Sequence, residues 1–307
     1  MQLTITKYMF WAYIVAIKHI SGDEMLTVNR MSQVFNSAKE ITFDDTSKFI
    51  LMSDVHRGTK SGADNFAHNE NIFIQALNYY YNKGFSYIEI GDGDELWENR
   101  YFSNIFFAYQ PIFKLLNTFY MEKRFYSIFG NHDMVKKFSE NRLIFRSDNS
   151  HDKQVQLFND IKHYEGLILN YKEMKKIFVV HGHQGDLIND KFWNVARFLV
   201  RYVWKPLEIY FGIQDPTSPA KNYRKKRSTE KKIAHWAEIN QQMMITGHTH
   251  RPMFSANENA LYFNTGSCVH PKCITGIEIE KGVMQLIKWC LQSGCIVRKV
   301  ISKPLKL

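Results

Sequence analysis

The stretch FILMSDVH (residues 49–56) runs four apolar residues straight into Asp54 and His56, and four later stretches repeat the arrangement. YIEIGD (87–92) ends on Asp92, FYSIFGNHD (125–133) on Asn131, His132 and Asp133, IFVVHGH (177–183) on His181 and His183, and MMITGHTHRP (243–252) on His248 and His250. Each apolar run is short and rich in aromatic or branched residues, so it reads as a buried strand. Residues 66–82, between the first two runs, carry apolar side chains at helical spacing with Gly84 beyond their end, and residues 102–121, between the next two, read as a second helix. Strands alternating with helices predict an α/β layered sheet. Ligands of open α/β sheets bind beyond the carboxyl ends of the strands. Five converging strand ends would therefore gather two Asp, one Asn and several His in one pocket.

The spacing supports that reading. Asp54 and His56 are two residues apart, as are His248 and His250, and on an extended backbone such residues point the same way. Gly91, Gly130, Gly182 and Gly247 stand where a strand ends and the chain must turn. Carboxylate, imidazole and amide oxygen together suit Mn²⁺, Fe or Zn²⁺ better than Ca²⁺ or an all-thiolate site. Any one fragment alone would be weak; five in order, each after an apolar run, are not.

The rest of the 307-residue chain bounds the answer. Its 45% hydrophobic, 23% charged and 15% aromatic composition excludes disorder, collagen and coiled coil. Lys and Arg number 40 against 30 Asp and Glu, a formal +10 that predicts an anionic partner. The apolar run Tyr8–Ile17 would rise about 15 Å as a helix, half of a membrane's hydrocarbon core. No signal-type cleavage site follows it, so it reads as an element docked on the core or as a peripheral membrane foot. Cys268, Cys273, Cys290 and Cys295 show matched C-x4-C spacings but lie in strand-like sequence, so they read as free thiols of a reducing compartment rather than zinc ligands.

Residues 1–47 yield no clear element and read as an N-terminal extension, with the main domain over 48–290 and a C-terminal strand or tail over 291–307. Residues 189–240 differ from their surroundings: Trp193, Phe198, Trp204, Tyr210 and Phe211 precede the break DPTSPAKN and the basic run Arg224–Arg227, and eleven Lys/Arg against five Asp/Glu give the segment +6. It reads as two helices joined by a polar turn, inserted into the sheet. Either it packs its aromatics on the core, or it is a lid that takes an apolar group on one side and anionic headgroups or phosphates on the other. Beyond residue 258 the chain reads as strands over 261–264, 274–280 and 283–289, with Lys281-Gly282 as a hairpin turn.

The order D-x-H, G-D, G-N-H-D, H-G-H, G-H-T-H resembles the calcineurin-like metallophosphoesterases over residues 48 to 290. That resemblance implies an α/β fold, a two-sheet β-sandwich flanked by helices, with two divalent metal ions at the strand ends: Mn²⁺ first, with Fe, Zn²⁺ or Co²⁺ as alternatives. Carried over by position, Asp54, His56 and His250 would bind one metal, Asn131, His181 and His248 the other, and Asp92 both. His132 would act as general acid, with Asp133 holding it or bracing the loop. His183 would be either a supporting residue or a substrate contact, Asp94, Glu95 and Glu98 would stand behind the site or at its rim, and Arg57 and Arg251 would stabilise phosphate charge. The motif GHTHRP and the helical insertion resemble UDP-2,3-diacylglucosamine hydrolases, where an insertion caps the site. The chain departs from that subgroup at His132, where Arg often stands.

The implied reaction is hydrolysis of a phosphate ester or pyrophosphate, in a small or lipid-linked substrate, by a hydroxide bridging two metals about 3.5–4 Å apart, with His132 protonating the leaving group. Alternatives are a serine/threonine phosphoprotein phosphatase, against which the insertion argues, and a nuclease or cyclic phosphodiesterase, for which no dedicated nucleic-acid motif is present. A scaffold without metals has no need of such a ligand set. The expected partners are an anionic phosphorylated substrate and, through residues 189–240, an anionic membrane surface touched peripherally from the cytoplasm.

Overall fold

The computed structural model describes residues 22, 24–138, 143–145, 155–158, 161–204 and 223–307. Two sheets face each other. One takes β2 (Lys48–Met52), β3 (Ser86–Ile90), β4 (Phe125–Ile128) and β7 (His163–Tyr164) in parallel. The antiparallel strands β12 (Cys273–Glu280), β13 (Val283–Gln292), β14 (Cys295–Val300) and β15 (Leu305–Lys306) extend it from β2. The other sheet runs in the order β1 (Lys39–Phe43), β8 (Gly166–Tyr171), β9 (Lys175–Val180), β10 (Met243–Thr246), β11 (Tyr262–Asn264). A separate hairpin pairs β5 (Leu143–Phe145) with β6 (Val155–Leu157).

Strand alternation sorts the apolar residues into layers. Leu51, Ile88, Ile128, Leu167, Leu169, Ile177, Val179, Ile245 and Ile277 fill the space between the sheets. The alternate residues of the first sheet, with Ile50, Met52, Tyr87 and Trp289, pack under the helices Glu70–Asn82, Phe102–Ala108 and Gln110–Met121. On the outer face of the second sheet, Ile168, Phe178, Val180 and Met244 meet Met31 and Val34 of a helix over residues 24–37, and Ile233, Trp236 and Ala237 of the helix Tyr223–Ile239. The architecture is the two-sheet sandwich flanked by helices that the family resemblance implies.

Some details differ. The helix read over 102–121 is two helices broken at Tyr109, because Pro111 sits in the first turn of the second. A continuous helix there would set the proline ring against the carbonyl one turn back, whereas the first turn of a new helix accepts it. Residues 24–37 and 39–43 join the core rather than standing apart, and β14 and β15 pair with β13 in the main sheet. The Lys281-Gly282 hairpin is present, with φ of 52° and 67° matching the left-handed pair that a two-residue turn needs. The apolar run 8–17 and the insertion's polar break, 215–222, lie outside the described residues. Within the described residues no helix is long and apolar enough to cross a membrane.

Candidate metal centre

The C-terminal ends of β2, β3 and β4 in one sheet and of β9 and β10 in the other open onto the same edge, and every predicted metal ligand sits there. The pairs converge by a different device from strand alternation. Asp54, His56, Asp92, His248 and His250 all lie past their strands with φ between 50° and 66°. Left-handed backbone is uncommon for residues with a side chain and is concentrated at functional sites, where the surroundings enforce it. The glycines do two jobs. Gly91 has φ 71°, a true turn residue, while Gly130 serves by absence, since a Cβ there would lie 2.2 Å from Asp92 Oδ1.

The donor atoms form two groups sharing one region. Asp54, His56 and His250 bring ligand atoms within 4.8 Å of one another, and so do Asp92, His181 and His248. His250 Nε2 lies 3.1 Å from Asp54 Oδ1, and His181 Nε2 lies 3.1 Å from Asp92 Oδ2. Donors about 2.0–2.2 Å from a common ion would stand at about this separation. Asp54 Oδ1, Asn131 Oδ1, His181 Nε2 and His248 Nε2 are buried and have no hydrogen-bond partner. Buried polar atoms are rarely left unpaired, and four such atoms at neighbouring strand ends fit cations that would satisfy them. Several atoms on the far side of these groups, by contrast, are engaged. His181 Nδ1 bonds the Ile90 carbonyl at 2.8 Å, His56 Nδ1 meets Glu95 Oε2 at 2.7 Å, and Asp92 Oδ1 accepts the His132 N–H at 2.8 Å. Such outer contacts fix which ring nitrogen is left for a metal.

Burial pushes the Asp54 carboxyl up, but the imidazoles of His250 and His181 outweigh it and hold the group below the usual carboxylate range. Burial likewise opposes ionisation of Asp92, and His181 and His132 bring it well below normal. Burial drives His248 well below its ordinary value, with the His181 imidazole adding to the effect, so its ring is neutral and able to coordinate.

His132 stands beside the cluster with its ring stacked on Trp97, centroids 4.2 Å apart. Its Nδ1 meets Glu95 Oε1 at 2.8 Å, so one carboxylate holds both His56 and His132. Burial lowers the His132 pKa, and Glu95 and Asp92 more than reverse that, favouring the protonated ring.

The expectation for Arg57 is overturned, and the alternatives left open at Asp133 and His183 resolve. Asp133 does not hold His132: it is fully buried, and its oxygens accept from the backbone N–H groups of Gly130, Asp92 and Gly93 and from Lys136 Nζ, which makes it a brace for the loop. Arg57 does not face a substrate. It is 1% exposed, with Nη1 and Nη2 on Glu89 at 2.8 and 2.9 Å and Nε on Asp94 at 2.8 Å. His183 is fully buried behind His181, ring centroids 5.5 Å apart, and so does not meet a substrate. Arg251 reaches Glu230 of the helix Tyr223–Ile239 through Nε at 3.1 Å and Nη2 at 2.5 Å, and Thr249 Oγ1 bonds the same carboxylate at 2.8 Å. Glu98 donates its backbone N–H to Glu95 Oε1 at 3.3 Å, at the rim. Glu95 stands behind the site as expected, holding His56 and His132, whereas Glu89 and Glu230 are supporting acids that residue types alone did not single out. No group of three His, Cys, Asp or Glu that could share an ion among the described residues includes a cysteine.

The comparisons follow the geometry. The structure is similar to vacuolar protein sorting 29 from Cryptosporidium parvum, at 15% identity and TM-score 0.38 over 85% of this chain and 98% of that one. It is also similar to a conserved Streptococcus pneumoniae protein described as a predicted phosphoesterase, at 15% identity and TM-score 0.34 over 83% and 97%. A cold-active protein-tyrosine phosphatase of a Shewanella species matches at 14% identity and TM-score 0.39 over 86% and 83%. At such identities and scores nothing those proteins do is transferred to this chain. No curated protein matches it. The family model described as calcineurin-like phosphoesterase matches residues 47–252, more than half of the chain, and the strand ends it spans carry both halves of a metal-ligand set. The chain therefore belongs to the calcineurin-like phosphoesterases and is a metallophosphoesterase.

Proposed function

We propose that the protein hydrolyses a phosphate ester or pyrophosphate bond in a small or lipid-linked phosphorylated substrate, with two divalent metal ions, Mn²⁺ foremost. The observation that carries this reading is the set of four buried atoms without hydrogen-bond partners, on Asp54, Asn131, His181 and His248, at the strand ends where two groups of ligand atoms gather within 4.8 Å. Asp54, His56 and His250 would hold one ion, Asn131, His181 and His248 the other, and Asp92 would serve both. When bound, the ions supply Lewis acidity that makes a water nucleophilic near neutral pH. The chain supplies the proton: His132, kept charged by Glu95 and fixed in orientation by Trp97, protonates the departing oxygen.

The insertion supports a lipid-linked substrate of the kind cleaved by UDP-2,3-diacylglucosamine hydrolases. Phe192, Val195, Phe198, Leu199 and Tyr202 are exposed on its first helical stretch among the described residues. Arg201 on the same stretch donates to the Trp97 and Leu96 carbonyls at 2.8 and 2.6 Å, which ties that apolar surface to the platform under His132. Basic side chains nearby suit an anionic headgroup or membrane surface on the cytoplasmic side.

The test is turnover after metal reconstitution with Mn²⁺, Fe²⁺, Co²⁺ or Zn²⁺. Substrates would be p-nitrophenyl phosphate, its bis-ester, UDP-sugars with and without acyl chains, dinucleoside polyphosphates and phosphopeptides. Preference for an acylated nucleotide sugar over its deacylated form supports the lipid-linked reading. Preference for phosphopeptides would replace it with a protein phosphatase, and no turnover with any metal would end the catalytic one.

A further inference from the structure

Cys273 opens β12 and Cys290 lies near the end of β13, and the register sets them directly opposite each other. The kind of pairing matters. The two-residue turn closes on Glu280 and Val283, so hydrogen-bonded and non-hydrogen-bonded pairs alternate from there. Counting back seven pairs from Glu280–Val283 makes Cys273–Cys290 a non-hydrogen-bonded pair. The Leu291 N–H bonds the Lys272 carbonyl at 3.1 Å, the bond that flanks such a pair, and so marks it independently. Opposite residues of this kind have Cα atoms about 4.5 Å apart and side chains on one face. That separation falls within the roughly 4.4–6.8 Å over which a disulfide closes.

Access points the same way. Both cysteines are free and partly exposed, so a small oxidant can reach them, whereas Cys268 is buried among the helices' contacts on the opposite face. Burial pushes the Cys273 thiol up, and the Lys288 ammonium beside it pulls the other way. The location is not remote from the chemistry. The Asn69 side-chain amide donates to the carbonyls of Cys268, His270 and Cys273 at 2.8, 2.6 and 3.2 Å, and His270 Nε2 bonds the His250 carbonyl at 2.8 Å. The start of β12 thus anchors the strap that supports a candidate metal ligand.

We propose that Cys273 and Cys290 form a reversible cross-strand disulfide, a redox modification site that pins the start of β12 to β13 beside the metal centre. With a peroxide as oxidant, one thiolate attacks a peroxide oxygen, giving a sulfenic acid and hydroxide. The second thiolate then attacks that sulfur, forming the S–S bond and expelling hydroxide, and the two thiol protons carry both hydroxides off as water. Two thiols and one hydrogen peroxide give one disulfide and two waters. A dithiol reductant returns the pair to thiols.

The test uses the full chain carrying Cys295→Ser, a substitution at an exposed position that leaves one cysteine in each tryptic peptide of interest. The reduced protein is treated with hydrogen peroxide, blocked with N-ethylmaleimide and digested. The expected product joins the peptide Cys273–Lys281 to the peptide Trp289–Arg298, lighter than their sum by two hydrogen atoms and separated by dithiothreitol. It should be monomeric on a non-reducing gel and absent from a further Cys273→Ser variant. Full maleimide labelling of both cysteines after peroxide would overturn the proposal, as would a link that joins two chains or engages Cys268.

Discussion

Glu95 shows how much one carboxylate can settle. It sits next to Asp94 in sequence, both are buried, and residue type does not separate them. Their partners do: Asp94 turns to Arg57 and Lys136, and Glu95 to the two imidazoles. The metal ligands were legible because each follows an apolar run at a strand end; the direction in which their acidic neighbours point is set by packing across the chain. Arg57 was misread for the same reason, although a clue was present. Glu89 interrupts the buried run YIEI, and a carboxylate in mid-strand of a buried sheet calls for a buried cation. Three outcomes follow. His132→Ala should keep its metal, measured by elemental analysis, and lose about 10²–10⁴ in kcat. A parallel fall in metal content would refute the acid role. Glu95→Gln should lower kcat through His132 while also weakening metal retention through His56, a combination that His132→Ala does not show. Arg57→Ala leaves the buried Glu89 carboxylate without its cation while Asp94 keeps Lys136, and breaking such a pair costs about 3–5 kcal/mol. Chemical denaturation of the metal-free protein should show that loss, and an unchanged midpoint would mean the pair carries no stability.

At the scale of elements, the buried strands were the easiest to read, since β2, β3, β4, β9 and β10 are short continuous apolar runs. β1 was not, because KEITF buries only Phe43 and carries edge-strand polarity. The helix over 24–37 was equally quiet, resting on scattered Thr27, Met31 and Val34 rather than a strong apolar stripe. The two described parts of the insertion differ in burial. Its last helix is core, since Ile233 and Trp236 are 1% exposed and Trp236 packs against Phe35 and Phe178. Its first stretch buries no residue from Trp193 to Leu199. Substitutions there should therefore leave stability alone and act on substrate. Val195→Ser with Phe198→Ser should keep the thermal midpoint and p-nitrophenyl phosphate turnover of the parent while raising KM for an acylated nucleotide sugar. A drop in thermal midpoint would show that these side chains pack, and the lid reading would fail.

The whole molecule is joined at the metal centre. Asp54, His56, Asp92 and Asn131 follow strands of one sheet, and His181, His248 and His250 follow strands of the other, so ligands from both sheets converge across the end of the apolar layer between them. That layer alone holds the sheets face to face, but at the ligand edge the contact consists of buried carboxylates, imidazoles and an amide. Without cations the unpartnered atoms there remain a liability, because a buried polar group with no partner costs about 1–3 kcal/mol. The formal +10 of the chain also excludes a simple reading of the field: the cations would add positive charge where Asp54 and Asp92 supply negative charge, so attraction at the centre competes with repulsion from the whole. Binding to the folded state alone stabilises by about 2.7 kcal/mol at a hundredfold excess over Kd. Chelation should accordingly lower the thermal midpoint, and added Mn²⁺ should restore it in proportion to the logarithm of its concentration. Asp92→Asn, which weakens the ligand proposed to serve both ions while keeping its shape, should unfold at nearly the same temperature with and without metal. If chelation leaves the native protein's midpoint where it was, the two sheets are not joined by ions at that edge, and the ligand assignment fails with them.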